Sequence, residues 1–433
     1  MVATAGTTPG MRGYRLARLA GGVRLITAPM PERRSASVAF MFGVGSRHER
    51  PDNCGLSHFI EHIVFKGGRL FPTARAISEA IESVGGAINA ATDKEATVFY
   101  AKVPAEHLPL AVSVLADMLF EPALDADEVT KERQVVIEEL RMYLDNPQEH
   151  VSTLFDEVMY PGQPLGWDVA GTEETVRSFD TGACRGHLGR HYRPERLVVS
   201  VAGAIDHEAV TELVASVPAK PVGSEVPEPA GADEGPAPSL RFLRKASEQA
   251  NIIVGAHACS YRDERRFVLD LLNVILGEGM SSRLFQELRE VKALAYDIHS
   301  FTSKLSDTGY LGIYIGCEPR RAVRAVDAAV GELVRVAGTA VGEQELRKAK
   351  EYAKGRLLLH LEGTGALSQF LGQQELLAGP IMIADEVVAA LEAVTAEQVR
   401  QLAEEICHRG LRGAVIGPFS KPERFEQALA RAS

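Results

Sequence analysis

Five consecutive residues, His58-Phe59-Ile60-Glu61-His62, carry the side chains of a hydrolytic metal site. On a helix, His58 and His62 lie one turn apart on one face, so two ring nitrogens can hold one Zn²⁺. Glu61, three residues after His58, points to nearly the same side and can reach a water at the metal without being a ligand. The order reverses H-E-x-x-H, but the chemistry it permits is the same: two ligands and a carboxylate base. A chain with 12 histidines and 58 acidic residues also produces such a run by chance, so the motif alone does not decide the matter.

A catalytic zinc commonly takes three protein ligands and leaves one position for water. The stretch EVTKERQVVIEELRMYLD reads as a helix over Ala126 to Leu144. Glu132 and Glu139 lie only about 20° apart around its axis, and Glu138 points about 100° away from Glu139. Glu139 is the preferred third ligand, with Glu138 as its rival. Glu132 fits a carboxylate that orients a histidine or another ligand. The alternative is an acidic helix whose three carboxylates all face solvent.

These residues need a scaffold. Tyr14 to Leu19, Val23 to Thr27 and Ala36 to Phe42 read as strands. The motif helix begins near Gly55 and ends at Gly67-Gly68, a good stop signal. His48, in the polar loop before it, reads as a surface or substrate-adjacent residue rather than a ligand. Thr73 caps a second helix, Ala74 to Val84. Ala87 to Thr92 and Thr97 to Val103 then read as paired strands. Asn89, Ala90 and Ala91 are small residues with room beside them, and a strand bordering a cleft can accept an extended peptide by backbone hydrogen bonding. A plain interior hairpin is the alternative. Helices are expected over His107 to Phe120, Glu149 to Met159, Thr181 to Tyr192 and His207 to Ser216, and a strand over Arg196 to Ala202.

Pro218 to Ser239 is rich in Pro, Gly, Ala and Glu and reads as a linker. It predicts an N-terminal metal-binding domain over 1–217, a hinge over 218–239 and a C-terminal domain over 240–433. The second half repeats the layout of the first but has no H-x-x-E-H; His299 and His360 are isolated and read as structural or exposed. Its notable stretch is GEGMSSRLFQELREVKALAYDIHSF. Arg283 or Arg289, with Tyr296, could bind a peptide carbonyl and stabilise a tetrahedral intermediate, or could simply be solvated.

Composition narrows the class. Hydrophobic residues make up 45% and charged residues 24%, a globular balance. A net charge of -11 gives no electrostatic support to a nucleic-acid role. Five scattered cysteines without a C-x-x-C pair argue against a disulfide framework and against a structural zinc site. The first residues carry no apolar core of signal-peptide length, and no window reaches membrane-spanning length. The expectation is a cytoplasmic protein without membrane association.

Taken together, His58, Glu61, His62 and the later E-x6-E of Glu132 and Glu139 resemble the M16 family of zinc peptidases, which includes pitrilysin, insulin-degrading enzyme and the mitochondrial processing peptidase. The resemblance covers essentially the whole chain and is nearest the short-chain branch. It implies an α+β fold of two homologous domains, each a mostly antiparallel sheet packed with several helices, arranged as a half-clam. It implies one Zn²⁺ per chain on His58, His62 and Glu139, Glu61 as general base, and Glu132 behind a ligand. Asn89, Ala90 and Ala91 would pair with an extended peptide. Arg289 and Tyr296 match the family's Arg and Tyr, seven apart, which act on peptide held in the cleft. Both half-sites on one chain imply a homodimer, the C-terminal domain of one copy facing the zinc site of the other around short or unstructured peptides. The competing readings are a non-catalytic partner or scaffold, half of a heterodimer, or a metal-dependent hydrolase of another substrate class. Two departures touch loop geometry: Ala293 stands where Gly is common, and Val291 near a usually polar position.

Overall fold

The computed structural model describes residues 13–217, 228–235 and 239–432. Of the expected linker, 218–227 and 236–238 lie outside the described residues; 228–235 carries neither helix nor strand. The first sheet contains β1 (Arg15–Arg18), β2 (Arg24–Pro29), β3 (Ser35–Phe42), β4 (Ala87–Thr92), β5 (Thr97–Pro104) and β6 (Leu197–Gly203), in the order β1-β2-β6-β3-β5-β4. Only β2 and β6 run parallel; the other neighbours are antiparallel. The second sheet contains β7 (Leu240–Arg244), β8 (Ala250–His257), β9 (Asp297–Lys304), β10 (Gly309–Cys317) and β11 (Arg412–Gly417), in the order β7-β11-β8-β10-β9. There β7 and β11 are parallel and the rest antiparallel. The α+β class with two mostly antiparallel sheets is the architecture observed. Among the described residues no helix is long and apolar enough to cross a membrane.

Central strands show why they are central. β3 reads SASVAFMF, almost continuously apolar, because both of its faces are covered. Val38, Phe40 and Phe42 enter the main core of the first unit, and Ala39 and Met41 enter a smaller core on the other face. The main core takes apolar side chains of α1 (Leu56–Val64), α2 (Ala74–Glu82), α3 (Leu108–Phe120) and α4 (Ala126–Asp145).

The other face is covered by a helix from far along the chain, Thr364–Gln373, whose Leu371 meets Ala39 and Met41. The second sheet receives α5 (Pro147–Met159), whose Val151, Phe155 and Met159 are buried with Ile253, Tyr314 and Ile416. The two compact units are therefore Met1–Leu140 with Asp168–Ala230 and Leu358–Ile383, and Arg141–Trp167 with Gly231–Leu357 and Ala384–Ser433. This corrects the contiguous division into 1–217 and 240–433: each half of the sequence lends a helix to the other half's sheet. Apolar periodicity identifies an amphipathic helix but not the sheet it will cover.

Three local features of the second half have identifiable causes. β7 goes beyond the expected strands; LRFLR is an edge strand, with no residue fully buried and only a weak pattern. Thr364–Gln373 and Ala384–Ala393 are separate helices, because Gly379 (φ 107°) ends a π-helical turn and Pro380 follows. Within the stretch GEGMSSRLFQELREVKALAYDIHSF, Phe285–Val291 winds as a π-helix.

His48 is half-buried rather than a free surface residue. Its ring is 6.0 Å from that of His191, which lies 4.7 Å from His187 on the helix Thr181–His191. Burial, reinforced by Arg196 and neighbouring rings or cations, lowers His48 to about 3 and His191 to about 4; burial and the other two rings hold His187 well below its usual range. The unfolded chain takes up these protons near pH 6.5, whereas the folded chain resists until far lower. Stability is thus complete above about 6.5 and falls as pH drops toward 4, by about 1.4 kcal/mol per pH unit for each imidazole. Urea midpoints should fall steeply between about pH 7 and about pH 5, and the double variant His187→Leu/His191→Leu should show a flatter slope. Equal slopes in both proteins would contradict this origin of acid sensitivity.

Candidate metal centre

α1 presents the motif because of which residues it buries. Phe59, Ile60, Ile63 and Val64 enter the core, leaving His58, Glu61 and His62 half-buried on the opposite side. Its first turn is held by a side chain nine residues upstream of His58. The buried Glu49 carboxylate accepts the Gly55 N–H at 2.7 Å on Oε2 and the Ser57 N–H at 2.6 Å on Oε1. Two otherwise orphaned helix N–H groups are satisfied in this way. Burial pushes the Glu49 pKa up to about 7, against the pull of those N–H groups.

Gly55 enters the helix at φ 92°, and a Cβ there would stand 2.5 Å from the Ala170 carbonyl oxygen. Both the left-handed backbone and the backbone contact demand glycine. Gly55→Ala should destabilise the protein by about 3 kcal/mol and weaken metal binding, read by a thermal melt and a metal titration. An unchanged melting temperature would show that the entry to α1 can shift freely.

α4 brings the second set of groups. Val136, Ile137 and Leu140 are buried, Glu132 is buried with them, Glu139 is half-buried and Glu138 is exposed. Glu139 Oε2 lies 3.4 Å from His62 Nε2 and 3.9 Å from His58 Nε2. One donor atom from each of His58, His62 and Glu139 lies within 4.8 Å of the others, the one such group among the described residues. Ligands about 2.0–2.1 Å from a shared tetrahedral ion stand about 3.3 Å apart, so this donor set fits zinc with little movement.

Carboxylates surround the ligand histidine candidates. His62 Nδ1 is 2.9 Å from Glu132 Oε1, and Lys66 Nζ is 2.5 Å from Glu132 Oε2. Burial opposes charge on His62, but Glu132 and Glu139 outweigh it and hold its pKa up to about 9. His58 is lowered to about 4 by burial and by His62. Burial would raise Glu132, yet its bonds to His62 and Lys66 hold it below the usual carboxylate range. With Nδ1 fixed by Glu132, the Nε2 edge of His62 is turned toward Glu139.

Glu61 lies beside this group. Its Oε2 accepts the Thr92 hydroxyl at 2.6 Å, and burial raises its pKa against that bond. Thr92 ends β4, the outermost strand of its sheet, on which Asn89 and Ala91 are exposed and Ala90 half-buried. Beyond β4 the sheet has no further strand among the described residues, so its outer edge can accept an added one.

Arg289 and Tyr296 belong to the second unit. The Arg289 guanidinium lies 4.8 Å from the Phe285 ring centre, and the half-exposed Tyr296 donates to Gln249 Oε1 at 2.5 Å. Between them Ala293 adopts φ 48°, the left-handed region that favours glycine. Arg283 is instead committed to a bidentate pair with Glu345, 2.7 Å on each arm. Glu49, Lys66 and Thr92 were not among the residues expected from sequence. Lys66 carried a faint signal, one turn beyond His62; the other two are placed by loop path and strand register.

Residues 24–173 match the profile of the insulinase family, peptidase family M16, and residues 185–352 match the peptidase M16 inactive domain. The chain is 37% identical over 432 residues to an uncharacterised zinc protease of Streptomyces coelicolor, covering 97% of this chain and 94% of that one. It is 37% identical over 400 residues to another from Bacillus subtilis, covering 92% and 96%. The crystal structure of a protease from Helicobacter pylori shares the fold, with a TM-score of 0.87 at 21% identity over 94% of this chain and 100% of that one. Profiles across both halves and near end-to-end relatives establish that the chain belongs to the M16 family of peptidases.

Proposed function

We propose that this protein is a zinc-dependent endopeptidase of short or unstructured peptides, with one zinc per chain held by His58, His62 and Glu139 and with Glu61 as general base. The observation that carries the reading is the convergence of two imidazole Nε2 atoms and one carboxylate oxygen beside a second carboxylate that is not part of the set. Zinc bound there supplies a Lewis acid that polarises a carbonyl and acidifies water. Glu61 takes the proton of the attacking water and passes it to the leaving amine nitrogen. Glu132, locked by Lys66, keeps the His62 ring oriented.

Asn89, Ala90 and Ala91 offer the main chain of β4 to an extended peptide. Pairing along an edge requires a free backbone, which favours unstructured substrates over folded ones. Arg289 and Tyr296 donate hydrogen bonds to a substrate carbonyl. Because one chain carries both groups, the assembly is a homodimer in which the C-terminal domain of one copy serves the metal centre of the other. Five buried free thiols support a reducing compartment, the cytoplasm.

The test is incubation of the zinc-loaded protein with a mixed library of unstructured peptides and with a folded protein. Internal cleavage of the peptides alone is expected. Trimming from chain ends only, or equal attack on the folded protein, would overturn the substrate assignment. A strictly monomeric yet active protein in solution would overturn the homodimer.

A further inference from the structure

We infer that Thr92 is a positioning residue for the base: its hydroxyl aims Glu61 and ties that aim to the strand proposed to receive the peptide. This rests on the reading of Glu61 as the base. Thr92 Oγ1 donates to Glu61 Oε2 at 2.6 Å. The Thr92 backbone also bonds this carboxylate, and the hydroxyl is the contact that fixes Oε2. A glutamate side chain otherwise has several rotamers, and only some face the attacking water.

Thr92 is suited to the task. It is β-branched and has few χ1 options. It is paired in register with Thr97 of β5, whose own hydroxyl is buried and donates to the Val44 carbonyl at 2.9 Å. The anchor of the base is thus part of the sheet, while Glu61 itself rides on α1. Thr92 closes the strand that carries Asn89, Ala90 and Ala91. A peptide ordered along β4 would order the residue that holds the base, so binding and base orientation are coupled through Thr92. The same bond restrains the Glu61 carboxylate from swinging into the His58, His62 and Glu139 donor group as an extra ligand.

The test compares Thr92→Val, which keeps the shape and removes the hydroxyl, with Thr92→Ser, which keeps the hydroxyl. Peptide kcat and KM, bound zinc and the melting temperature are measured for each, with Glu61→Gln alongside. Thr92→Val should lower kcat about 10- to 100-fold while KM moves less than about twofold, with zinc content unchanged. Thr92→Ser should recover most of the lost kcat. A Thr92→Val enzyme with wild-type kcat, beside an inactive Glu61→Gln, would overturn this inference and leave the base assignment standing. Equal losses in Val and Ser variants would also overturn it, showing a packing role. If Glu61→Gln itself keeps its turnover, the base assignment falls and this inference with it.

Discussion

Glu61→Gln should keep one zinc per chain and lose at least about a thousandfold in kcat, the upper range for loss of a general base. The amide has the same size and can still accept the Thr92 hydroxyl bond, so the side chain stays where it is. What disappears is the capacity to take a proton. Because Glu61 is outside the three-donor group, its neutralisation leaves His58, His62 and Glu139 unchanged. The check is kcat on a peptide the native protein cuts, with zinc measured on the same sample. Turnover within about tenfold of native would remove Glu61 from the role, and loss of zinc would make it a ligand instead.

The second large effect separates adjacent carboxylates. Glu139→Gln should weaken zinc binding by at least about a hundredfold and abolish activity with it, whereas Glu138→Gln should change neither. Glu139 Oε2 stands 3.4 Å from His62 Nε2, and Glu138, one helix position earlier, is exposed. A helix turns about 100° per residue, so the two cannot share the task. Glu132→Gln should fall between them, because it keeps an acceptor for His62 but gives up the charge that pairs with Lys66. Competition with a chromophoric zinc chelator measures all three. Equal affinities for the Glu138 and Glu139 variants would reject the assignment.

How much of this was legible in the sequence follows from which physics each feature depends on. Helical periodicity puts His58 and His62 on one face and separates Glu139 from Glu138, and the structure has those relations. Strand and helix positions around the motif also follow from local pattern, because most of those segments bury one well-defined face. The helices Thr364–Gln373 and α5 are different. α5 buries a clear apolar face, whereas Thr364–Gln373 buries Thr364, Ser368 and Gly372 beside Leu371; for both, the partner sheet is chosen by three-dimensional fit over long sequence separations. Thr92 and Glu49 fail for a related reason. Thr92 meets Glu61 across 31 positions, through the seating of β4 beside α1, and Glu49 meets Ser57 across 8, through a loop of irregular path. No periodicity encodes such contacts.

Zinc dependence of peptide cleavage tests the central claim most directly. The protein would be stripped with a chelator, dialysed, and titrated with zinc while bound metal and peptide cleavage are followed together. Activity should be absent in the stripped protein, rise in proportion to bound zinc, and level off at one zinc per chain. Cleavage that persists without metal, or a fully zinc-loaded protein that cuts no unstructured peptide, would contradict a zinc peptidase centred on His58, His62 and Glu139.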